Sequence, residues 1–180
     1  MSLSHKFSRW IGWGAPLTNI AAGHIAPEFT LKSLDGKEYA LGKLLKKGPV
    51  VVAFFKISCP VCQFTFPYLQ RLAERYSGDT ATVIGVSQDD ARGTKEFNRE
   101  YGVTFPALLD EPGYPVSNAY GLSMVPTIFL IEPDGKVKIS CMGFDKGDLE
   151  QIAGELSQRH KIAAAPLFRG DEVIPAQKPG

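Results

Sequence analysis

The feature that most constrains this chain is Val50-Val51-Val52-Ala53-Phe54-Phe55, six consecutive apolar residues. Lys56-Ile57-Ser58 and then Cys59-Pro60-Val61-Cys62 follow it, and a helical pattern runs from residue 63 to 76. A strand apolar at every position must be covered on both faces, as in a sheet flanked by helices. The cysteine pair therefore falls where a strand gives way to a helix. The first turn of a helix offers unpaired N–H groups and a partial positive charge, both of which stabilise an anion. The thiolate is the nucleophile of disulfide exchange, so Cys59 is the candidate attacking sulfur. Cys62, one turn further on, can resolve a mixed disulfide by closing the intramolecular bond. Pro60 stands in the first helical turn, where its missing N–H costs nothing.

Two blander readings compete. Half of a zinc site would need two further ligands, and the chain offers Cys141, His5, His24 and His160, none paired at ligand spacing. A structural staple closing so short a loop would remove little chain entropy. Redox chemistry is the stronger reading, with the disulfide itself as the redox group and neither cofactor nor metal required. The chain has no Gly-rich phosphate loop and no histidine cluster.

At 180 residues with 44% hydrophobic content, the chain suits one domain with a sizeable core. Its 20 basic and 19 acidic residues give a net charge of +1, which leaves no basic footprint for nucleic acid. Near the amino terminus Trp10, Ile11, Trp13, Leu17 and Ile20 are interrupted by Gly12, Gly14, Pro16 and Asn19. That pattern is neither a signal peptide nor a membrane span. The expectation is a cytoplasmic protein as the sequence stands, or an extracytoplasmic one if a leader or anchor has been removed. Three cysteines, two of them close in sequence, argue against a disulfide-framework secreted domain.

Along the chain, Phe29-Thr30-Leu31-Lys32-Ser33-Leu34, the Asp35-Gly36 turn and Glu38-Tyr39-Ala40-Leu41 predict a hairpin. A short helix is expected over 42–47. In the helix after the cysteines, Phe66, Leu69, Leu72, Ala73 and Tyr76 form the inner face, Gln70, Arg71, Glu74 and Arg75 the outer, and Pro67 predicts a kink. A second buried strand is expected over 82–87 and a helix over 94–101, closed by Gly102. The strand–helix–strand unit implies a right-handed parallel crossover. A short helix near 116–120, strands over 127–131 and 137–142, and a helix over 148–160 complete the core. In the strand over 137–142, Val137, Ile139 and Cys141 share one face, so Cys141 reads as an inert core residue. The domain expectation is an arm over 1–25, one domain over 26–162 and an irregular tail over 163–180, laid on the surface by Leu167 and Phe168.

Several of these residues together resemble the thioredoxin superfamily, and within it the TlpA-like and AhpC/TSA redoxin branch. They are Ala26-Pro27-Glu28-Phe29 ahead of the hairpin, Cys59-Pro60-Val61-Cys62 after the strand, Pro67, and Val125-Pro126-Thr127. The resemblance covers about residues 26–160. It implies an α/β fold with a central mixed sheet flanked by helices and extended by an amino-terminal β-hairpin. It also implies that Cys59 attacks, that Cys62 resolves, and that Val125-Pro126 is cis beside the pair, its backbone receiving an extended segment of a partner. Pro60, Val61, Val125, Thr127, Lys56 and Ser58 are the expected supporting residues. Protein disulfides or dithiols are the expected substrates, and an upstream thiol the expected reductant.

The chain departs from the thioredoxin pattern in three places. Ser58 stands where a tryptophan is usual, Ala53 where a buried acid is usual, and Thr65 where membrane-anchored relatives often carry a glutamate. Both usual bases for Cys62 are therefore missing. Lys56 is the nearest ionisable residue, most simply a solvated strand end. Pro60 in the first intervening position resembles glutaredoxins and the periplasmic oxidants, which leaves the direction of electron flow open.

The leading function is thiol–disulfide exchange with proteins, acting as a disulfide reductase. A thiol peroxidase of the AhpC/TSA type is the alternative, since Ser87-Gln88-Asp89-Asp90 and Tyr101-Gly102-Val103 look peroxiredoxin-like. Against it, Val52 and Lys56 occupy the positions of the peroxidatic proline and threonine, and Pro126 that of the arginine. A binding module that retains the fold, with the disulfide as a switch, is a third reading.

Overall fold

The computed structural model describes residues 19–76, 78, 81–161 and 165–180; the expectations made for residues 1–18 lie outside it. Five strands form the main sheet in the order β5-β4-β3-β6-β7: β3 (Val50–Phe55), β4 (Thr82–Ser87), β5 (Ala107–Leu109), β6 (Thr127–Ile131) and β7 (Val137–Met142). β3 runs parallel to β4 and antiparallel to β6, so the sheet is mixed. The central place of β3 explains its composition. Val51, Ala53 and Phe55 face a core shared with helices α2 (Pro60–Tyr76), α3 (Ala91–Glu100) and α5 (Lys146–His160). Val50, Val52 and Phe54 face the opposite core, with α1 (Leu41–Leu45), α4 (Pro115–Ala119) and Tyr120. Successive strand residues point to opposite faces, so two cores demand an apolar residue at every position.

The expected hairpin forms as β1 (Thr30–Lys32) and β2 (Glu38–Ala40), a separate two-stranded sheet tied to the main one by a bridge from Ser33 to Leu108. Residues 19–25, the described end of the expected arm, are pinned to the end of α4 and to β7. The Ile20 N–H donates to the Tyr120 carbonyl at 3.2 Å, and the Gly23 N–H to the Val137 carbonyl at 2.8 Å. Three helices begin earlier than their apolar spacing suggests, because an N-cap is set by local chemistry ahead of the first apolar contact. α2 starts at Pro60. α3 starts at Ala91, where the Asp90 carboxylate accepts the Gly93 N–H at 2.7 Å, and α5 starts at Lys146, capped by Asp145 through the Asp148 N–H at 2.9 Å.

Other features differ from the expectation. β5 has only three residues and follows a loop, so it carries no periodic signal. Gln70, placed on the outer face of α2 by its spacing, is buried. Its Nε2 donates to Thr104 Oγ1 at 2.7 Å, and its Oε1 accepts the Thr104 N–H at 2.8 Å, so it satisfies a loop that packs on the helix. The tail is not irregular throughout. Leu167 and Phe168 are buried in the α2–α5 core, and β9 (Gln177–Lys178) pairs antiparallel with β8 (Phe144–Asp145).

Candidate active site

The ends of β3 and β4 converge with the loop before β6, and the cysteine pair lies at that meeting point. Such crevices beyond the carboxyl ends of parallel strands are where α/β sheets place their chemistry. Ile57 and Ser58 bridge β3 to α2. The turn is held by the Cys59 N–H donating to the Lys56 carbonyl at 3.2 Å, and by Gln63 Nε2 donating to the Ile57 carbonyl at 2.9 Å. Asp89, just past β4, accepts the Ile57 N–H on its Oδ2 at 2.8 Å.

The two cysteines differ sharply. Cys59 is half-buried, and its sulfur accepts the Cys62 N–H at 3.3 Å. The same thiol faces the Val125 carbonyl oxygen at 3.3 Å. Cys62 is fully buried. Burial pushes its thiol well above the ordinary cysteine range, and the bond with Cys59 and the negative charge of Asp89 push the same way. Val125-Pro126 is cis, as the resemblance implies; Glu111-Pro112 is cis as well, which nothing in the sequence reading anticipated. Pro126 and Thr127 are buried, Thr127 Oγ1 donating to the Met124 carbonyl at 2.8 Å. Val125 is half-buried against both cores.

The remaining expected residues are placed as follows. Ser58 and Pro60 are exposed beside Cys59, and Val61 packs against the α2 core. Lys56 reaches Cys59 through its backbone carbonyl, while its ammonium stands 5.6 Å from the centroid of the Tyr114 ring on the loop before α4. That loop is fixed by the buried Asp110, whose carboxylate accepts the Val116 and Ser117 N–H groups at 2.9 and 2.7 Å. Thr65 is buried and donates to the Val61 carbonyl at 2.6 Å, so it is spent on the helix backbone. Cys141 is buried, its thiol pushed up to about 12 first by burial and then by the nearby charge of Asp148.

Sequence reasoning singled out Asp89 only as part of a peroxiredoxin-like segment. The usable signal was topological: β3 and β4 are parallel neighbours, so the residues just past each end up side by side. Tyr114 carried no comparable signal, since a left-handed tyrosine at φ 56° in a Gly/Pro-rich loop has no periodicity.

A Cys-x-x-Cys pair opening a helix, beside a proline loop and on this mixed sheet, defines a thiol–disulfide oxidoreductase of thioredoxin-like fold. The family model described as the AhpC/TSA family matches residues 22–140, and the chain belongs to that family. It is 34% identical over 136 residues to the thiol-disulfide oxidoreductase ResA of Geobacillus thermodenitrificans, covering 74% of this chain and 77% of that one. To ResA of Bacillus thuringiensis it is 31% identical over 153 residues, covering 84% and 86%. Among solved structures it is similar to the thioredoxin domain of a thiol-disulfide oxidoreductase from Bacteroides vulgatus. The TM-score is 0.66 and the identity 26%, over 76% of this chain and 97% of that one.

Among the described residues, no helix is long and apolar enough to cross a membrane, and no group of three or more His, Cys, Asp or Glu side chains could hold a metal ion.

Proposed function

We propose that the protein reduces disulfides of other proteins, with Cys59 as the attacking sulfur and Cys62 as the resolving one. The observation that carries this assignment is the asymmetry of the pair: Cys59 is half-buried and accepts the Cys62 N–H, whereas Cys62 is sealed in the core. Only the accessible sulfur can meet a disulfide in a protein-sized partner.

The Cys59 thiolate attacks one sulfur of the partner disulfide, forming a mixed disulfide and releasing the other partner sulfur as a thiolate that takes up a proton. Cys62 then loses its proton and attacks Cys59, closing the intramolecular disulfide and releasing the second partner thiol. Two electrons and two protons pass to the partner, and an upstream dithiol restores the pair by the reverse exchange. The carboxylate that acts electrostatically on Cys62 is Asp89, and its charge opposes formation of the Cys62 thiolate. A buried resolving thiol held in its neutral form stays unreactive until attack on Cys59 brings a mixed disulfide beside it.

Val125 and Pro126 supply backbone beside Cys59 for an extended partner segment, and the exposed Ser58 and Pro60 form the other rim. In a reducing cytosol such a couple runs as a reductase. In an oxidising space outside the cytoplasm it would act in that direction only with a dedicated donor.

The test is to trap the intermediate. The reduced Cys62→Ser variant mixed with a disulfide-containing protein should accumulate a mixed disulfide through Cys59, stable to acid and broken by dithiothreitol. Cys59→Ser should accumulate none. Equal trapping by the two variants would overturn the assignment of roles. A reduction potential well above that of the glutathione pool would reverse the proposed direction of electron flow.

A further inference from the structure

Residues 165–180 cross α2, β8 and the Val125-Pro126 peptide, and they are held in two unequal parts. The first part is firmly anchored. Leu167 and Phe168 are buried, Phe168 packing on Tyr68 with ring centroids 4.9 Å apart. Arg71 grips Glu172 with two N–H···O bonds of 2.9 and 2.5 Å and also donates to the Leu167 carbonyl at 3.1 Å. The second part is held lightly, by the two-residue β9, by the Lys146 N–H on the Ala176 carbonyl at 2.9 Å and by Gln177 Nε2 on Asp145 at 2.5 Å. Residues 176–180 are all exposed.

This lightly held part nevertheless ends at the redox pair. Gly143, in the left-handed region at φ 72°, lies so close beneath the strap that a Cβ there would stand 2.5 Å from the Lys178 carbonyl oxygen and 3.0 Å from the Gly180 nitrogen. A Cβ on Gly180 would collide with the Val125 carbonyl. That carbonyl is the one the Cys59 thiol faces. On the way, the Lys178 ammonium stands 4.7 Å from the centroid of the Phe64 ring, which packs edge-on against Phe144.

We propose that residues 176–180 are an intramolecular occupant of the partner site, which a protein disulfide must displace to reach Cys59. This rests on the exchange reading above and deepens it by defining what the site accepts. The site consists of the β8 edge, the Phe64 face and the Val125-Pro126 peptide. It takes an extended segment that pairs antiparallel with β8, lays a cationic side chain over Phe64 and presents a residue without a side chain where the backbone passes Val125. Unfolded or loop segments of a protein meet those demands. A small disulfide needs neither the β8 edge nor the Phe64 face, so the strap discriminates by the size and shape of the substrate.

The experiment compares the reduced full chain with a variant ending at Ile174, each reacted with insulin and with hydroxyethyl disulfide, the surviving thiols being counted by alkylation after acid quench. The truncated protein should react about tenfold faster with insulin, which corresponds to about 1.4 kcal/mol in favour of the closed strap. Its rate with hydroxyethyl disulfide should not change. A peptide of residues 174–180 should slow the truncated protein towards insulin alone. Gly180→Ala in the full chain leaves every anchor in place and should shift the insulin rate in the same direction, which covers the case of a truncation that disturbs folding. Insulin rates equal to or below that of the full chain in both variants would overturn the strap while leaving the exchange chemistry standing. No reaction of any form with either disulfide would overturn the exchange reading itself, and the strap with it.

Discussion

Cys59 and Val125 stand 66 residues apart in sequence, and the thiol of one faces the carbonyl oxygen of the other at 3.3 Å. The contact follows from strand order: β6 pairs antiparallel with β3, with Thr127 opposite Phe54, so the loop entering β6 arrives where β3 ends. It also depends on protonation. A thiol can donate to that carbonyl, whereas a thiolate cannot and is left accepting the Cys62 N–H. Loss of the proton therefore costs the sulfur its contact with Val125 and leaves the Cys62 N–H, which it already accepts, as its backbone partner.

The three cysteines should differ in reactivity by orders of magnitude. Burial holds the Cys62 thiol high and that of Cys141 at about 12, so both remain protonated through neutral and mildly alkaline pH. At about pH 8 a thiol titrating near 12 is ionised to roughly one part in ten thousand. Iodoacetamide added to the reduced native protein should label Cys59 first, Cys62 far more slowly and Cys141 only after denaturation, as read by mass spectrometry of the digested protein. Labelling of native Cys141 at a rate approaching that of Cys59 would contradict the packing described for β7.

Asp89 should oppose ionisation of Cys62. Its carboxylate is a negative charge acting on that thiol, so its removal makes the thiolate less unfavourable. In a Cys59→Ser background, Asp89→Asn is expected to move the pH profile of Cys62 alkylation to lower pH, while an amide oxygen still accepts the Ile57 N–H. Asp89→Ala removes that acceptor too and should cost a further ~1 kcal/mol in urea unfolding. An unchanged profile in the Asn variant would limit Asp89 to holding the loop.

The places where sequence reading succeeded and failed share one cause. β3 was legible because a strand between two cores must be apolar throughout, and Cys59 and Cys62 because their spacing fits one helical turn. Gln70 was misplaced because helical periodicity says which side chains face a neighbour and nothing about a loop whose Thr104 N–H needs an acceptor. The tail was illegible for a similar reason. Residues 177–178 gain their strand character from β8, more than thirty positions earlier, and Gly180 its closeness to Val125 from the way β7 and β8 meet at Gly143. Local pattern reports local constraint, and these contacts are long-range.

Gln70 offers a direct measure of that hidden constraint. Gln70→Ala removes the acceptor of the Thr104 N–H together with a partner of the Thr104 hydroxyl, both on an exposed loop residue. The expected loss is about 1 kcal/mol, the net worth of an ordinary intramolecular hydrogen bond. It should appear as a lower urea midpoint with an unchanged slope. A change of only a few tenths of a kcal/mol would mean that water replaces Gln70 and that the residue behaves as the surface position its spacing suggests.

The anchor of the tail should loosen in acid before the domain does. Arg71 and the Arg169 N–H hold the Glu172 carboxyl down to about 2, against about 4.3 for a free glutamate. A carboxyl lowered by folding contributes stability that is fully present above its unfolded value and fades as pH falls towards its folded one. Docking of the tail should therefore be constant from pH 8 to about 5 and weaken progressively below about 4. The Leu167 methyl resonances report it, with those of Ile152 in α5 as a control for the rest of the fold. Arg71→Ala should shrink this acid step to what the Arg169 N–H alone supports and leave the Leu167 signals shifted at every pH. If the Leu167 and Ile152 resonances change together in the native sequence, the tail is docked by its buried side chains alone, and the ion pair contributes nothing separable.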